Sequence, residues 1–314
     1  MAGGSLLANY FNPIPQPGQE GYTPTPTHHL RVMFENDLAF GHDRNYTHGT
    51  RIDYAREMPS GNAWGISLMQ NIHTPEHHTD GAVPGEHPYI GYLMLGGAYM
   101  QRGEDFGSVF EFQVGASGNA SGARHTQNEF HKFFGLETWD GWGDQVPSEI
   151  LFQLSMRQDF RVSALEFEGT NGWKSDATFF LREDIGTAYI RGGAGISFRY
   201  GVNLPPSMQV TGSRGGNYGL GLLKKPEYRR DELSYFVVAS LYAEYTARDI
   251  TADGGVFHDF ETGVSSQPWQ VQAQLGVGVS YQGIDYYAGG VLQSSTYRDG
   301  ETTYYGTFSV TWHW

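Results

Sequence analysis

Residues 269–281, WQVQAQLGVGVSY, decide the fold. Trp269, Val271, Ala273, Leu275, Val277, Val279 and Tyr281 share one face; Gln270, Gln272, Gln274, Gly276, Gly278 and Ser280 share the other. A period of two is that of a strand. An apolar middle closed by an aromatic at each end describes a strand whose outer face crosses lipid between two interfacial girdles. A soluble β-sandwich alternates too, but it buries its apolar face, and its exposed edges do not want tryptophan at the ends of a strand.

The end of the chain repeats the pattern. Tyr304, Gly306, Phe308, Val310, Trp312 and Trp314 alternate with Tyr305, Thr307, Ser309, Thr311 and His313. A chain ending on an aromatic in such a strand resembles the C-terminal signature of bacterial outer-membrane barrels. Composition agrees. The 314 residues include 43 glycines, 20 Tyr, 19 Phe and 7 Trp, and Gly- and Tyr-rich alternating segments suit a barrel. Mean hydropathy is −0.45, and no run approaches the ~18–20 apolar residues of a transmembrane helix.

Twelve alternating segments follow from this reading: 28–38, 47–57, 62–72, 89–102, 105–115, 149–163, 174–182, 186–202, 232–248, 269–281, 284–295 and 302–314. The expected fold is all-β, a transmembrane antiparallel barrel over 28–314, preceded by an extended Pro-rich leader over 1–27. An even strand number is what bacterial barrels have. Connections 58–61, 103–104 and 282–283 are tight and belong on the periplasmic side, whereas 73–88, 116–148 and 249–268 are long and belong outside. The connection 203–231 departs from the rule, being long on the periplasmic side. No n-h-c secretory signal precedes the first strand, so export follows from the barrel.

With no cysteine there is neither a disulfide nor a thiolate metal site. A net charge of −14 excludes nucleic acid as a partner, since phosphate binding wants clustered Lys and Arg. An anionic partner would need a divalent cation between it and the protein. The stretch 34–54, FENDLAFGHDRNYTHGTRIDY, supplies hard oxygen ligands for one: Asn36, Asp37, Asp43, Arg44, Tyr46 and Thr47 gather at a hairpin tip. Carboxylate, amide and hydroxyl oxygens suit calcium; a polar loop with no ligand reads the same. Strict alternation puts Asp37 and Thr47 on the inward face with Arg31, Glu35, Arg51 and Asp53, and turns Asn36 outward where the strand frays.

The long outer connection contains ARHTQNEFHKFFGLETWDGWGDQ, residues 123–145. Its first twelve residues lack Pro and Gly and predict a short helix over 123–134, ended by Gly135. Gln127 and His131, four apart, share a face of it. Phe130, Phe133 and Phe134 are expected to pack it on the barrel, with Glu137, Trp139 and Trp142 enclosing the region. A helical histidine alone is more often a packed residue than a catalyst.

The patterns END…DRNYTHG, HPYIGYL, GASGNASGARHTQNEFH followed by GW, and GGAGISFRYGVNL resemble the LpxR-type lipid A 3′-O-deacylases of Gram-negative outer membranes. The resemblance runs from about residue 33 to the end and includes ARDITADGGVF at 247–257. It implies a twelve-stranded, calcium-dependent esterase that removes the ester-linked acyl chain at the 3′ position of lipid A. Asn36 and Asp37 match the family's Asn-Asp pair, Thr47 its threonine after Tyr46, and Gln127 with His131 its Gln-x-x-x-His, followed by Glu137. The implied catalytic residues are His131, Asp37, Asn36, Gln127 and Glu137. The implied metal ligands are Asn36, Asp37 and Thr47, and Thr47, Arg44 and Trp139 are expected to meet substrate. Two departures stand out. Glu86 and His87 replace an Asp-Arg before Pro-Tyr, and no lysine lies between 58 and 99. Arg102 or the histidines at 73, 77 and 78 are the residues that would compensate for that lysine.

Ester hydrolysis needs an activated water and a stabilised oxyanion. A near-neutral imidazole suits the first task, which assigns His131 as base and calcium as the polarising ion. Gly-x-Ser-x-Gly is absent, so an acyl-enzyme route has no support. Lipid A and outer-membrane lipids are the expected partners of a monomer whose site faces the outer leaflet. The alternatives are an outer-membrane phospholipase, or a non-enzymatic porin or structural barrel. A zinc site from His73, Glu76, His77 and His78 is the lesser reading beside a hydrated loop.

Overall fold

The structure, a computed structural model, describes residues 27–38, 44–77, 81, 83–207 and 212–314. The expectations for Asp43, His78 and all but Thr27 of the leader lie outside the described residues. Strands β1 (His28–Asn36), β2 (Asn45–Glu57), β3 (Ala63–Thr74), β4 (Ile90–Gln101), β5 (Phe106–Ser117) and β6 (Ile150–Arg161) run antiparallel in chain order. So do β8 (Trp173–Gly186), β9 (Tyr189–Val202), β10 (Ser234–Asp249), β11 (Trp269–Tyr281), β12 (Ile284–Gln293) and β13 (Thr303–His313). Pairing of β1 with β13 and of β6 with β8 closes the ring at twelve strands. A two-residue strand, β7 (Phe167–Glu168), pairs only with β8 at the periplasmic end. Closure satisfies every ladder and leaves no edge in lipid.

The expected strands are all present, and β11 has the bounds its alternation gave. The largest departure is β8, which continues to Gly186 through Arg182, Glu183 and Asp184. Arg182 and Asp184 face the lumen, so charge there marks the inner wall rather than a loop. Outward residues form the apolar band, as Leu275 at 67% exposure shows. An aromatic girdle closes its periplasmic end, where Tyr54 meets Trp64 and Trp314, and Trp173 meets Tyr200 and Tyr235. Tyr245 and Trp269 mark the outer end.

The long connection between β9 and β10, at the short-turn end of the barrel, has a physical account: it plugs the lumen. Ser213 N donates to Glu35 (3.1 Å) and Gly219 N to Asp53 (2.8 Å). Arg214 reaches Glu244 (2.8 Å) and Asp184 (3.2 Å). Tyr218 OH donates to Glu111 (3.1 Å), which also accepts from Arg51. Glycines allow this close approach: a Cβ on Gly215 would collide with Ser155 Oγ, and one on Gly219 would crowd Arg31.

Candidate active site

The outer ends of β1 and β2 are shaped by one extra residue. Register runs Asn36↔His48, and β2 slips against β3 between Tyr46 and His48, leaving Thr47 unpaired in the ladder. Such a bulge turns two successive side chains to one side. Tyr46 therefore enters the lumen, where its OH donates to Glu35 (2.5 Å). Thr47 and His48 turn outward instead: Thr47 Oγ1 lies 2.6 Å from Thr74 Oγ1, and the His48 ring packs edge-on to Phe34 at 4.9 Å. This corrects the strict-alternation reading, which placed Thr47 inside.

Asn36 ties this corner together. Its Nδ2 donates to the Thr47 carbonyl (2.9 Å) and its Oδ1 accepts from Leu38 N (2.8 Å). Asp37 is fully buried, its carboxylate accepting from Arg44 N (2.6 Å). The Arg44 guanidinium bridges outer connections through Glu76 and Glu301.

Helix α1 (Ala123–Phe134) has the predicted bounds, set between Gly122 and Gly135, both in the left-handed region at φ 71° and 70°. It lies against the outside of the wall. Ala123 touches Gly91 of β4 where a side chain would not fit, and Ala123, Trp139 and Trp142 cluster with Ile72 and Tyr89. Its buried residues are Ala123, Gln127 and His131, spaced four apart. The expectation for the phenylalanines holds only for Phe130, which stacks on Phe34 (5.9 Å) and sits by His48 (6.3 Å). Phe133 and Phe134 are instead 83% and 57% exposed, because the polar Gln127–His131 face is the one pressed to the wall.

His131 Nδ1 donates to the main-chain carbonyl of Glu137 (2.5 Å), and Trp139 meets the imidazole edge-on at 4.8 Å. Glu137 thus acts through its backbone while its side chain is exposed. Gln127 Oε1 accepts from Trp142 Nε1 (3.0 Å). Its buried Nε2 has no hydrogen-bond partner among the described residues. Phe130 lies between the helix pair Gln127–His131 and the wall corner Asn36–Asp37–Thr47, its ring 6.4 Å from that of His131 and 6.3 Å from that of His48, which follows Thr47 and pairs with Asn36. Among the described residues no three His, Cys, Asp or Glu side chains converge as a metal cage. The wall corner offers one carboxylate with amide, hydroxyl and carbonyl oxygens, a donor set that fits a hard cation such as calcium.

Other expectations fall away from this corner. Arg102 belongs to the opposite, short-turn end of the barrel, paired with Glu57 (2.8 Å) and the Gly221 carbonyl. His73 stacks on His87 at 4.9 Å, facing the lumen, and His77 bonds Glu86. Burial lowers the His87 imidazole to about 4. Sequence reasoning missed His48, whose contact with Phe130 of α1 depends on a segment far along the chain. It also missed Glu149, whose carboxylate accepts from the backbone of Val256, Phe257 and His258 and ties two outer connections together.

The family model described as outer membrane protein LpxR matches residues 5–314. Among solved structures, LpxR from Salmonella typhimurium superimposes with a TM-score of 0.76 at 17% identity, covering 91% of this chain and 100% of that one. The β domain of the Bordetella autotransporter BrkA gives a TM-score of 0.47 at 11% identity, covering 93% and 99%. No curated protein matches.

Proposed function

The chain belongs to the LpxR family of outer membrane proteins, and from that premise we propose that it is a calcium-dependent esterase releasing the 3′-O-linked acyl chain of lipid A. The observation that carries this reading is the wall-mounted pair of His131 and Gln127, set beside an oxygen-rich corner at the outer rim.

The Glu137 carbonyl accepts a hydrogen bond from Nδ1–H, which makes Nε2 the lone-pair nitrogen of His131. Nε2 removes a proton from the attacking water, and the imidazolium returns it to the departing sugar oxygen. Trp139 fixes the ring plane. Gln127, anchored by Trp142, aims a buried N–H where the oxyanion develops. Asn36, Asp37 and Thr47 would hold calcium, whose chemistry in such a place is polarisation of the ester carbonyl. Arg44 would exchange its exposed partner Glu301 for a lipid A phosphate. All these groups come from one chain, so a monomer suffices. Because the corner sits at the outer rim, it meets outer-leaflet lipid A before inner-leaflet phospholipid.

Mass spectrometry of lipid A from a Gram-negative host exporting the chain should show loss of the 3′ acyl substituent. His131→Ala should leave lipid A intact, and chelation should stop the reaction until calcium is restored. Unchanged lipid A with accumulating lysophospholipid would establish the phospholipase instead. Planar-bilayer conductance tests the porin reading, and the plugged lumen should give none.

A further inference from the structure

The C-terminal end of α1 exposes more apolar surface than a helix in water should. Phe133, Phe134 and Leu136 are all exposed, and Phe134 packs on Phe130 at 4.6 Å and on Phe133 at 5.0 Å. This aromatic corner is continuous with the lipid-facing band of the barrel. Val32 and Phe34 belong to that band on β1, with Phe308 opposite Phe34 on β13. Phe34 stacks on Phe130, and the Phe130 ring lies 6.4 Å from that of His131. The other face of α1 carries Arg124, His125, Glu129 and Lys132, all exposed. An apolar edge and a charged face on one helix, level with the top of a lipid belt, is the signature of an interfacial helix.

We infer that the C-terminal end of α1 inserts into the acyl layer of the outer leaflet, and that Phe34, Phe130 and Phe134 form the path along which the ester's acyl chain reaches His131. The second half rests on the esterase reading; the first does not. The acyl chain never leaves the hydrocarbon. It slides from the belt over the rings of Phe34, Phe134 and Phe130, so only the ester and sugar rise to the polar corner. Phe133 and Leu136 keep the helix end submerged.

Because the chain has no cysteine, single nitroxide labels can be placed cleanly. Phe133→Cys and Phe134→Cys labels in vesicles should collide with dissolved oxygen and be shielded from a water-soluble nickel complex, matching a Leu275→Cys label in the belt. A Glu129→Cys label should show the reverse. An aqueous profile at 133 and 134 would overturn the insertion, and so would low access to both reagents, which would mean that another protein copy covers the corner. The double variant Phe133→Ser, Phe134→Ser should lose about tenfold in hydrolysis of vesicle-borne lipopolysaccharide, the worth of part of one buried phenyl ring. Leucine at both positions should restore most of it, and equal loss in the two variants would overturn the acyl path. A parent chain inactive on every ester would sink the esterase reading while leaving the labelling result standing.

Discussion

The lumen and the outer corner handle polar groups in opposite ways. Inside, Glu35 is held by the Tyr46 hydroxyl and the Ser213 amide, but other carboxylates meet counter-charges. Glu111 takes Arg51, Ser67, Tyr218 and the Gly216 amide, and Asp176 takes Arg199 and Lys225. Outside, main-chain groups help to hold the side chains of the candidate site: Asn36 donates to the Thr47 carbonyl, Asp37 accepts from Arg44 N, and His131 donates to the Glu137 carbonyl. A counter-charge fixes a group and quenches it, whereas a carbonyl or amide fixes it and leaves its basicity or ligand strength usable. On the proposed function, the lumen serves stability and the corner serves chemistry.

Replacing His131 by Ala should show that division most sharply. Loss of a general base costs about 10²–10⁴ in rate, while the heat-modifiable folded band on electrophoresis should persist. Loss of that band would make His131 structural. Glu111→Ala tests the other side. It strands a buried Arg51, and breaking such a pair costs about 3–5 kcal/mol, to be read by urea unfolding from vesicles with kcat for lipid A nearly unchanged. A variant that stays stable but loses activity would dissolve the distinction between the two regions.

His87 adds a pH arm. Its imidazole is lowered from 6.5 to about 4 by burial, so the unfolded chain binds the proton first. The contribution is whole above pH 6.5 and falls away as pH drops towards 4, by at most about 3 kcal/mol. His87→Phe should flatten that part of the stability profile, and an unchanged profile would remove His87 from the account. Asn36→Ala has the smallest expected effect on stability, about 1 kcal/mol for the lost hydrogen bond. It should nevertheless raise the calcium needed for half-maximal hydrolysis, as titration after chelation would reveal.

Alternation made the wall legible because burial against lipid on one side and polar lumen on the other writes a period of two into every strand. The same logic gave α1, whose ends are glycines and whose interior has none. It failed wherever geometry depends on a partner far along the chain. The bulge at Thr47 has no local signature, so the sides on which Tyr46 and Thr47 emerge were unreadable, and with them the location of the candidate site outside the wall. The plug has no period at all. Its trace was compositional: glycines at 212, 215, 216, 219 and 221 crowd one connection, where Gly216 takes a turn at φ 71° and Gly215 and Gly219 let backbone pass close to the lumen wall. Phe133 and Phe134 were misread because apolar residues on a helix usually face protein, and here lipid is the other option.

The plug also sets a clock. Its bonds join residues very far apart in sequence: Glu35 and Ser213 are separated by 178 positions, Asp53 and Gly219 by 166, Glu111 and Tyr218 by 107. None of these can form until most of the ring exists, and non-local pairing of this kind is slow. A half-built sheet would carry arginines and carboxylates still wanting water, so it gains little by entering the bilayer early. Folding and insertion should therefore be one late, concerted event. The interior would dry only as the connection between β9 and β10 follows the closing strands into the lumen.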